Sequence, residues 1–226
     1  MRNLVGFDTE TTGVRTEHDR IVTAAVVKRA SDGSEEAQTW LIDPGVEIPP
    51  QAVAVHGITT ERARAEGREP TQALEEIATE LARAIEEGMA VLAFNAPYDL
   101  GILRAELERH RLPTMEQRLG DEAPPVVDPL VIDRGVDRYR RGKRKLGDLM
   151  SVYGVHSSPN LHDALEDVRQ SIAVFDAIEE QYEQVAAMDF AALHAWQRKT
   201  HRDWAVNFNS WLESRGRSAD VDLDWP

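Results

Sequence analysis

The sequence predicts an α/β fold in which a mixed sheet is flanked by helices. The first 42 residues contain three apolar segments with strand character, namely a strand that begins near Asn3 and residues 21–28 and 38–42. Only short links join them, which is typical of an antiparallel meander. Further along, amphipathic helical segments alternate with short apolar runs, a pattern that favours parallel strands. We therefore expect a sheet with both kinds of pairing.

Loops separate the elements of the first part of the chain. Residues 14–19 are polar, and Ser31-Asp32-Gly33 is a turn signal between the second and third strands. Residues 43–50 contain three prolines and a glycine, so we expect a loop there. A short helix is expected after Thr59, where the chain becomes charged and rich in alanine.

The helical part begins at residues 71–87, where apolar side chains recur at the spacing of one helix face and Gly88 follows as a stop. A short buried strand at 91–94 leads directly into a helix at 95–109, and Pro97 suits the first turn of that helix. The elements expected after it are a short strand at 124–128 and helices at 146–153 and 162–183.

The composition excludes several classes of function. With a formal net charge of −14 and a pI near 4.9, the 226-residue chain cannot coat nucleic acid by overall charge. It contains no cysteine, which excludes disulfides, thiolate metal sites and a cysteine nucleophile. No apolar run approaches the roughly 20 residues of a membrane span, and a first strand that begins so early leaves no room for a signal peptide. We expect a cytoplasmic protein with no membrane partner.

Two acids interrupt the first strand at its far end. Asp8 and Glu10 are two residues apart, so their side chains point to the same face of the sheet. Burial of unpaired charges beside a core is unfavourable, and a hard divalent cation would neutralise them. A strand end that reaches solvent would tolerate the same acids, so this segment alone leaves both interpretations open.

Two helix starts supply further acids. Asp99 lies about one turn into the helix that Asn95 is placed to cap, near the carboxyl end of a strand, where α/β proteins bind ligands. Asp167 lies about one turn into the helix that begins near Asp163, and His162 comes just before that helix. A neutral imidazole can accept a proton near pH 7. Helix capping and an exposed loop histidine would also explain these residues.

Together, three ordered segments resemble the motifs of the DnaQ-like 3′–5′ exonucleases of the DEDDh group, and are similar to epsilon-type proofreading exonucleases. The segments are FDTETTG at 7–13, NAPYD at 95–99 and HDALEDV at 162–168. VHGIT at 55–59 is similar to a further element of that family. The resemblance predicts an exonuclease domain over residues 1–183, followed by a helical, tryptophan-rich extension at 184–226.

The resemblance implies a ribonuclease-H-like fold and metal-dependent hydrolysis of terminal phosphodiester bonds. Asp8, Glu10, Asp99 and Asp167 would hold two divalent ions, Mg²⁺ or Mn²⁺, and His162 would act as the general base. The reaction would release nucleoside 5′-monophosphates from the free 3′ end of a nucleic acid, with single-stranded DNA favoured over RNA, in proofreading or repair. An RNA-trimming exoribonuclease and a polymerase-associated, mainly scaffolding subunit are the alternatives. A polymerase or another replication protein is a candidate partner.

Substrate contacts are expected at Thr9, Thr11, His56 and Asn95. By the resemblance, the backbone after the first two acids lines the pocket of the terminal nucleotide, where a hydroxyl group could contact the sugar. Strand propensity would also explain Thr9, turn chemistry would explain Thr11, and packing within a loop would explain His56.

A cluster of cations lies between the second and third motifs. Residues 134–145 carry seven Lys or Arg and one tyrosine. Arg140, Arg141 and Arg144 are predicted to contact the phosphates of a nucleic-acid strand, and Tyr139 offers a ring on which a base could stack. A solvated loop is the alternative interpretation.

Four of the five tryptophans fall in the last segment, 189–226. Trp196, Trp204, Phe208 and Trp211 recur at helical spacing, so we expect a long amphipathic helix. Such a helix would either pack back on the domain or form a surface for a partner.

Overall fold

Five strands form one mixed sheet in the computed structural model, which describes residues 1–120, 124–156 and 163–226. In chain order the strands are β1 (Leu4–Thr11), β2 (Ile21–Arg29), β3 (Glu35–Leu41), β4 (Ala90–Leu92) and β5 (Val126–Val127). Their order in the sheet is β3-β2-β1-β4-β5. β1, β2 and β3 pair antiparallel, whereas β4 pairs parallel with both β1 and β5. The predicted mixed sheet is confirmed.

Helices cover both faces of the sheet. In the described ranges they are α1 (Pro50–His56), α2 (Thr60–Glu66), α3 (Pro70–Glu86), α4 (Ala96–Arg109), α5 (Met115–Leu119), α6 (Pro129–Val136), α7 (Leu146–Tyr153), α8 (Ala164–Gln181), α9 (Glu183–Ala186) and α10 (Phe190–Ser214). None of these helices is both long and apolar enough to cross a membrane.

Strand β1 lies in the middle of the sheet and divides the core into two layers. Val5 and Phe7 belong to the layer that α3 and α4 cover, whereas Leu4 belongs to the layer that α8 covers. Each of these three side chains is at most 1% exposed. The alternation follows from the period of two in a strand, and it decides which helix each polar residue further along β1 will meet.

Two prolines begin helices that the sequence pattern does not predict. Pro50 is the first residue of α1 and Pro129 the first residue of α6. A proline has no backbone N–H to lose at this position, and its fixed φ suits a first turn. Residues 43–50 were expected to be loop because of their prolines, and α1 begins at the last of these residues. The short helices α5 and α9 were also not predicted.

Gly6 allows α8 to approach β1 closely. A Cβ atom at this position would lie 2.3 Å from Val168 Cγ1 and 3.2 Å from Ile172 Cδ1. A side chain on residue 6 would therefore force α8 away from the sheet. The position of α8 matters for the site, because Asp167 lies on this helix, next to Val168.

Helix α10 packs against α6 and against the outer edge of β5. The fully buried side chain of Gln197 accepts a hydrogen bond from Asp128 N (2.7 Å) and donates one to Val126 O (2.8 Å). His194 Nδ1 accepts another from Val126 N (3.0 Å). These side chains satisfy the backbone groups that a sixth strand would otherwise pair. The helical extension thus covers the edge of the sheet.

We predict that Gln197→Leu destabilises the fold. The substitution keeps an apolar contact but leaves two buried backbone groups without partners, Val126 O in β5 and Asp128 N directly after it. It should lower the free energy of unfolding by about 3 kcal/mol. Denaturant titration followed by circular dichroism would measure the change. Arg198→Ala, at the exposed neighbouring position on α10, is the matched control. Equal stability of the two variants would show that α10 does not contribute to the sheet edge.

Candidate active site

Three carboxylates meet where β1 ends. Asp8 and Glu10 extend from the same face of β1 as Gly6, toward α8. Asp167, in the first turn of α8, faces them, and one oxygen atom from each of the three side chains lies within 4.8 Å of the other two. The predicted convergence of these acids is therefore present, and it depends on the close approach of α8 at Gly6.

Asp99 reaches the site from the opposite face of β1. It lies in the first turn of α4 and is 3% exposed. Its Oδ1 accepts a hydrogen bond from Thr9 N (3.0 Å) and another from Thr9 Oγ1 (2.7 Å). The parallel neighbour β4 ends at Leu92, opposite Gly6, so within the described residues β1 has no partner strand beyond that point on this side. Asp99 thus accepts the hydrogen bond from Thr9 N that a longer β4 could have accepted.

Asp128, which the sequence did not indicate as a site residue, holds the start of α4 in place. The carboxylate of Asp128 is fully buried and accepts hydrogen bonds from the backbone N–H groups of Asn95 (3.0 Å), Ala96 (3.0 Å) and Leu130 (2.9 Å). It therefore joins the starts of α4 and α6. Asn95 occupies the expected cap position, but its side chain makes no capping hydrogen bond and its backbone is left-handed at φ +61°.

The electrostatics of the site favour protonated carboxyl groups. Burial, followed by the charge of Asp99, holds the pKa of Asp8 well above its usual range. Burial and the charge of Asp167 raise the pKa of Glu10 to about 8. Burial raises the pKa of Asp99 to about 7, although its hydrogen bonds from Thr9 oppose the shift. Several acids with raised pKa values in one cleft are typical of a functional site.

The donor set fits a divalent cation. In the part of the chain that the structure describes, no Lys, Arg or His forms an ion pair with Asp8, Glu10 or Asp99. Carboxylate oxygen atoms are the ligands that Mg²⁺ and Mn²⁺ prefer. Asp8, Glu10 and Asp167 are close enough to share one ion. A cation there would offset the burial and the mutual repulsion that raise these pKa values.

A cleft of about 430 Å³ opens beside the carboxylates. Asp8 and Asp99 line it, and so do three of the predicted substrate contacts, Thr9, Asn95 and Arg144. The lining residues that were not predicted as contacts are Phe94, Tyr98, Leu130, Lys145 and Leu146. A cleft lined by both acids and cations suits a phosphodiester substrate that needs both charge neutralisation and orientation.

The basic segment, residues 134–145, takes part in a buried ion-pair network. Asp133 is fully buried, and its carboxylate accepts hydrogen bonds from Arg140 (2.8 Å), Arg144 and the Tyr153 hydroxyl group (2.8 Å). Arg140 and Arg144 are each 15% exposed. These two arginines hold the segment against α6, and Arg144 also lines the cleft. Arg141 is exposed and forms no ion pair with any described residue.

The remaining predicted contacts lie beside the cleft or outside the described residues. The Thr11 hydroxyl group donates to Gly13 O (2.7 Å), which closes the turn after β1. His56 accepts a hydrogen bond from Ile58 N (3.1 Å), and burial lowers its pKa while the nearby Thr11 backbone opposes the shift. His162, the predicted general base, lies outside the residues that the structure describes.

A family model described as an exonuclease of the RNase T type matches residues 5–175. The chain belongs to this exonuclease family. A curated relative, the PolC-type DNA polymerase III of Streptococcus thermophilus, is 33% identical over 153 residues, which are 67% of this chain and 9% of that protein. The corresponding protein of Streptococcus agalactiae is 31% identical over 139 residues, 61% of this chain and 8% of that protein. The exonuclease chain thus spans about a tenth of the length of these relatives.

Solved structures share the fold. Escherichia coli exonuclease I in complex with a dT13 oligonucleotide has a TM-score of 0.69 and 21% identity, and the match covers 82% of this chain and 42% of that chain. A zinc-bound complex of the same enzyme with single-stranded DNA has a TM-score of 0.70 and 21% identity, over 89% and 44% of the two chains. The likeness confirms the predicted ribonuclease-H-like exonuclease fold.

We predict that the exonuclease without metal loses stability as pH rises. The folded-state pKa values of Glu10 and Asp99 lie above the ordinary values. The folded chain therefore holds protons that the unfolded chain has already released, and the free energy of unfolding falls from about pH 5 to about pH 8. The slope should approach 1.4 kcal/mol per pH unit for each retained proton. Denaturant titrations in EDTA would measure it.

A substitution and an added cation test the origin of this pH dependence of the free energy of unfolding. Glu10→Gln removes one titrating group and should flatten the slope, whereas Asp220→Asn, at an exposed position, should leave it unchanged. Mn²⁺ should restore stability mainly at high pH, because a carboxylate must lose its proton to bind a cation. A slope that is unaffected by Glu10→Gln and by Mn²⁺ would exclude this cluster as its source.

We also predict that Thr9 acts by positioning Asp99. Thr9→Val keeps the shape of the side chain but removes a hydroxyl donor to the carboxylate, so turnover should fall by about tenfold and half-maximal activity should require more Mg²⁺. Thr9→Ser keeps the hydroxyl group and should restore both values. If Thr9→Ser is as impaired as Thr9→Val, the hydroxyl group is not what matters at this position.

Proposed function

We propose that the chain is a metal-dependent 3′–5′ exonuclease that acts on single-stranded DNA and releases nucleoside 5′-monophosphates. The observation that carries the proposal is the meeting of Asp8, Glu10 and Asp167 within 4.8 Å at the end of β1, with Asp99 held opposite them by Thr9. Membership of the exonuclease family supports the class of reaction. Similarity to a replicative polymerase and to exonuclease I supports DNA as the substrate.

The reaction is hydrolysis of the terminal phosphodiester bond. A water oxygen forms a new bond to phosphorus, the bond from phosphorus to the 3′ oxygen of the preceding nucleotide breaks, and that oxygen receives a proton. Divalent ions held by the four carboxylates would supply the positive charge that stabilises the attacking and the leaving oxygen atoms. His162 is assigned the removal of the proton from the attacking water, as the sequence resemblance implies.

The chain itself provides cations that can orient the strand. Arg144 and Lys145 line the same cleft as the acids, and the hydrogen bond from Arg144 to Asp133 holds the guanidinium group in place. A fixed cation would orient a phosphate with little loss of side-chain entropy on binding. Asn95 and Tyr98 also line the cleft and could contact the terminal nucleotide. Orientation of the strand is thus assigned to these residues, and charge neutralisation at its end to the ions held by the carboxylates.

The proposal predicts mononucleotide release from the 3′ end. With Mg²⁺ or Mn²⁺, the purified full chain should shorten a 5′-labelled single strand stepwise, whereas a 3′-labelled strand should lose its label at once as a mononucleotide. Asp8→Asn and EDTA should each abolish the activity. His162→Ala should lower turnover by about 10²-fold to 10⁴-fold while the affinity for Mn²⁺ stays near that of the unchanged protein.

Matched substrates and a matched variant make this test specific. Single-stranded DNA, duplex DNA and RNA of the same sequence should be compared side by side, and faster cleavage of RNA would favour the trimming enzyme instead. Asp220→Asn removes a charge from an exposed position and should leave turnover unchanged. Full activity of Asp8→Asn would refute the proposed site, and a chain that binds DNA but never cuts it would favour the scaffolding alternative.

A further inference from the structure

Three aromatic side chains form a continuous stack on α10. Trp204 and Phe208 have ring centroids 5.3 Å apart at an interplanar angle of 12°, and Phe208 and Trp211 have centroids 5.5 Å apart at 16°. We call these three residues the aromatic ladder. Their spacing of four and three residues places them on one side of the helix.

The aromatic ladder is not part of the buried face of α10. That face consists of Leu193, Gln197, His201, Ala205 and Leu212. The ladder lies beside it, where Trp204 and Phe208 are half-buried and Trp211 is 45% exposed. Packing of α10 on α6 accounts for Trp204, which lies under Arg134, but it does not account for the exposed end of the stack at Trp211.

Arginines lie at both ends of the ladder. The guanidinium carbon of Arg134 lies 3.6 Å from the centroid of Trp204, and that of Arg215 lies 5.6 Å from the centroid of Trp211. Cations over ring faces are attracted by the electron density of the rings. The exposed end of the stack, with Trp211 and Arg215, offers both the flat surface that a nucleobase prefers and the charge that a phosphate prefers.

Positive charge is concentrated around the ladder. Residues 134–145 carry seven Lys or Arg against one acid, in a chain of net charge −14. They come next to the ladder because α10 packs on α6. Residues 190–217 add five Lys or Arg against two acids, and the tail at 218–226, which returns along α10 through the ion pair of Arg202 with Asp224, adds three aspartates. A polyanion is therefore attracted mainly to residues 134–145, at the Arg134 end of the ladder.

Helix α6 connects the cleft with the ladder. Leu130 at the start of α6 lines the cleft, and Arg134, four residues later, stacks on Trp204. Positions four apart lie on the same side of a helix and about 6 Å apart along its axis. The ladder thus begins about one turn of α6 from the cleft.

We infer that the aromatic ladder is a second binding site, on which single-stranded DNA stacks its bases upstream of the 3′ end held in the cleft. The inference rests on the proposed function only for the location of that end. A base would stack on the outer face of Trp211, at the exposed end of the ladder, with Arg215 displaced from that ring toward a phosphate. A second copy of this chain is the other candidate occupant, and the surrounding positive charge disfavours it because like charges repel.

Binding measured without cleavage tests the inference. In EDTA, the full chain should bind oligothymidylates of about 16 nucleotides more tightly than those of about 4 nucleotides, with quenching of tryptophan fluorescence. Trp211→Ala should weaken binding of the long strand by about tenfold and leave binding of the short strand unchanged. Trp211→Tyr keeps a ring and should restore most of the affinity. An abasic strand of the same length should bind the unchanged protein as weakly as the long strand binds Trp211→Ala.

Controls separate this result from a change in fold, charge or assembly. Val206→Ala removes an equally exposed apolar side chain from α10 outside the ladder and should leave binding unchanged, and thermal melting should show that all variants fold. Equal affinity of Trp211→Ala and the unchanged protein for the long strand would overturn the inference. A shift in oligomeric state by Trp211→Ala, without a change in binding, would assign the ladder to a second copy and would also overturn it. Because binding is read in EDTA, loss of nuclease activity would not affect the outcome.

Discussion

The repulsion among the carboxylates at the end of β1 has to be opposed by packing elsewhere in the fold. Asp8 and Glu10 share a strand, but Asp167 is held against them by α8, whose approach depends on the missing side chain at Gly6. Hydrophobic burial along α8 supplies the opposing free energy, since Val168, Ile172 and Phe175 are at most 3% exposed. The site is thus a cluster of acids with raised pKa values beside a well-packed core, which is the environment in which a divalent cation binds best.

Buried aspartates away from the cluster serve a different purpose. Asp128 joins the starts of α4 and α6 through three backbone N–H groups, and Asp133 joins α6 to the basic segment through Arg140 and Arg144. Each has the partners that a buried carboxylate needs. Asp128 fixes the start of α4, the helix that carries Asp99, and Asp133 fixes the position of Arg144, which lines the cleft. Polar contacts outside the cleft therefore position both an acid and a cation that line it.

The helical extension contributes to this arrangement from outside the family match, which ends at residue 175. Gln197 and His194 satisfy the open edge of β5, which is only two residues long and would otherwise expose its backbone groups. Because Asp128 follows β5 directly, a change at this edge would reach the start of α4 and Asp99. The same helix carries the aromatic ladder beside its buried face, and the ladder becomes more exposed toward Trp211. The buried face of α10 thus supports the sheet, and the exposed end of the ladder at Trp211 lies outside that contact.

The sequence alone predicted the order of the strands and main helices along the chain and the family to which the chain belongs. It also indicated Asp8, Glu10, Asp99 and Asp167 as the acids of the candidate site. These features are readable because strand alternation, helix periodicity and motif spacing are local. The tertiary structure decided that Asp128 rather than the Asn95 side chain caps α4, that Arg140 and Arg144 pair with Asp133, and that Gln197 completes the edge of β5. No local sequence pattern predicts such contacts, because the residues that each contact joins come close together only when the sheet has formed and the helices have packed on it.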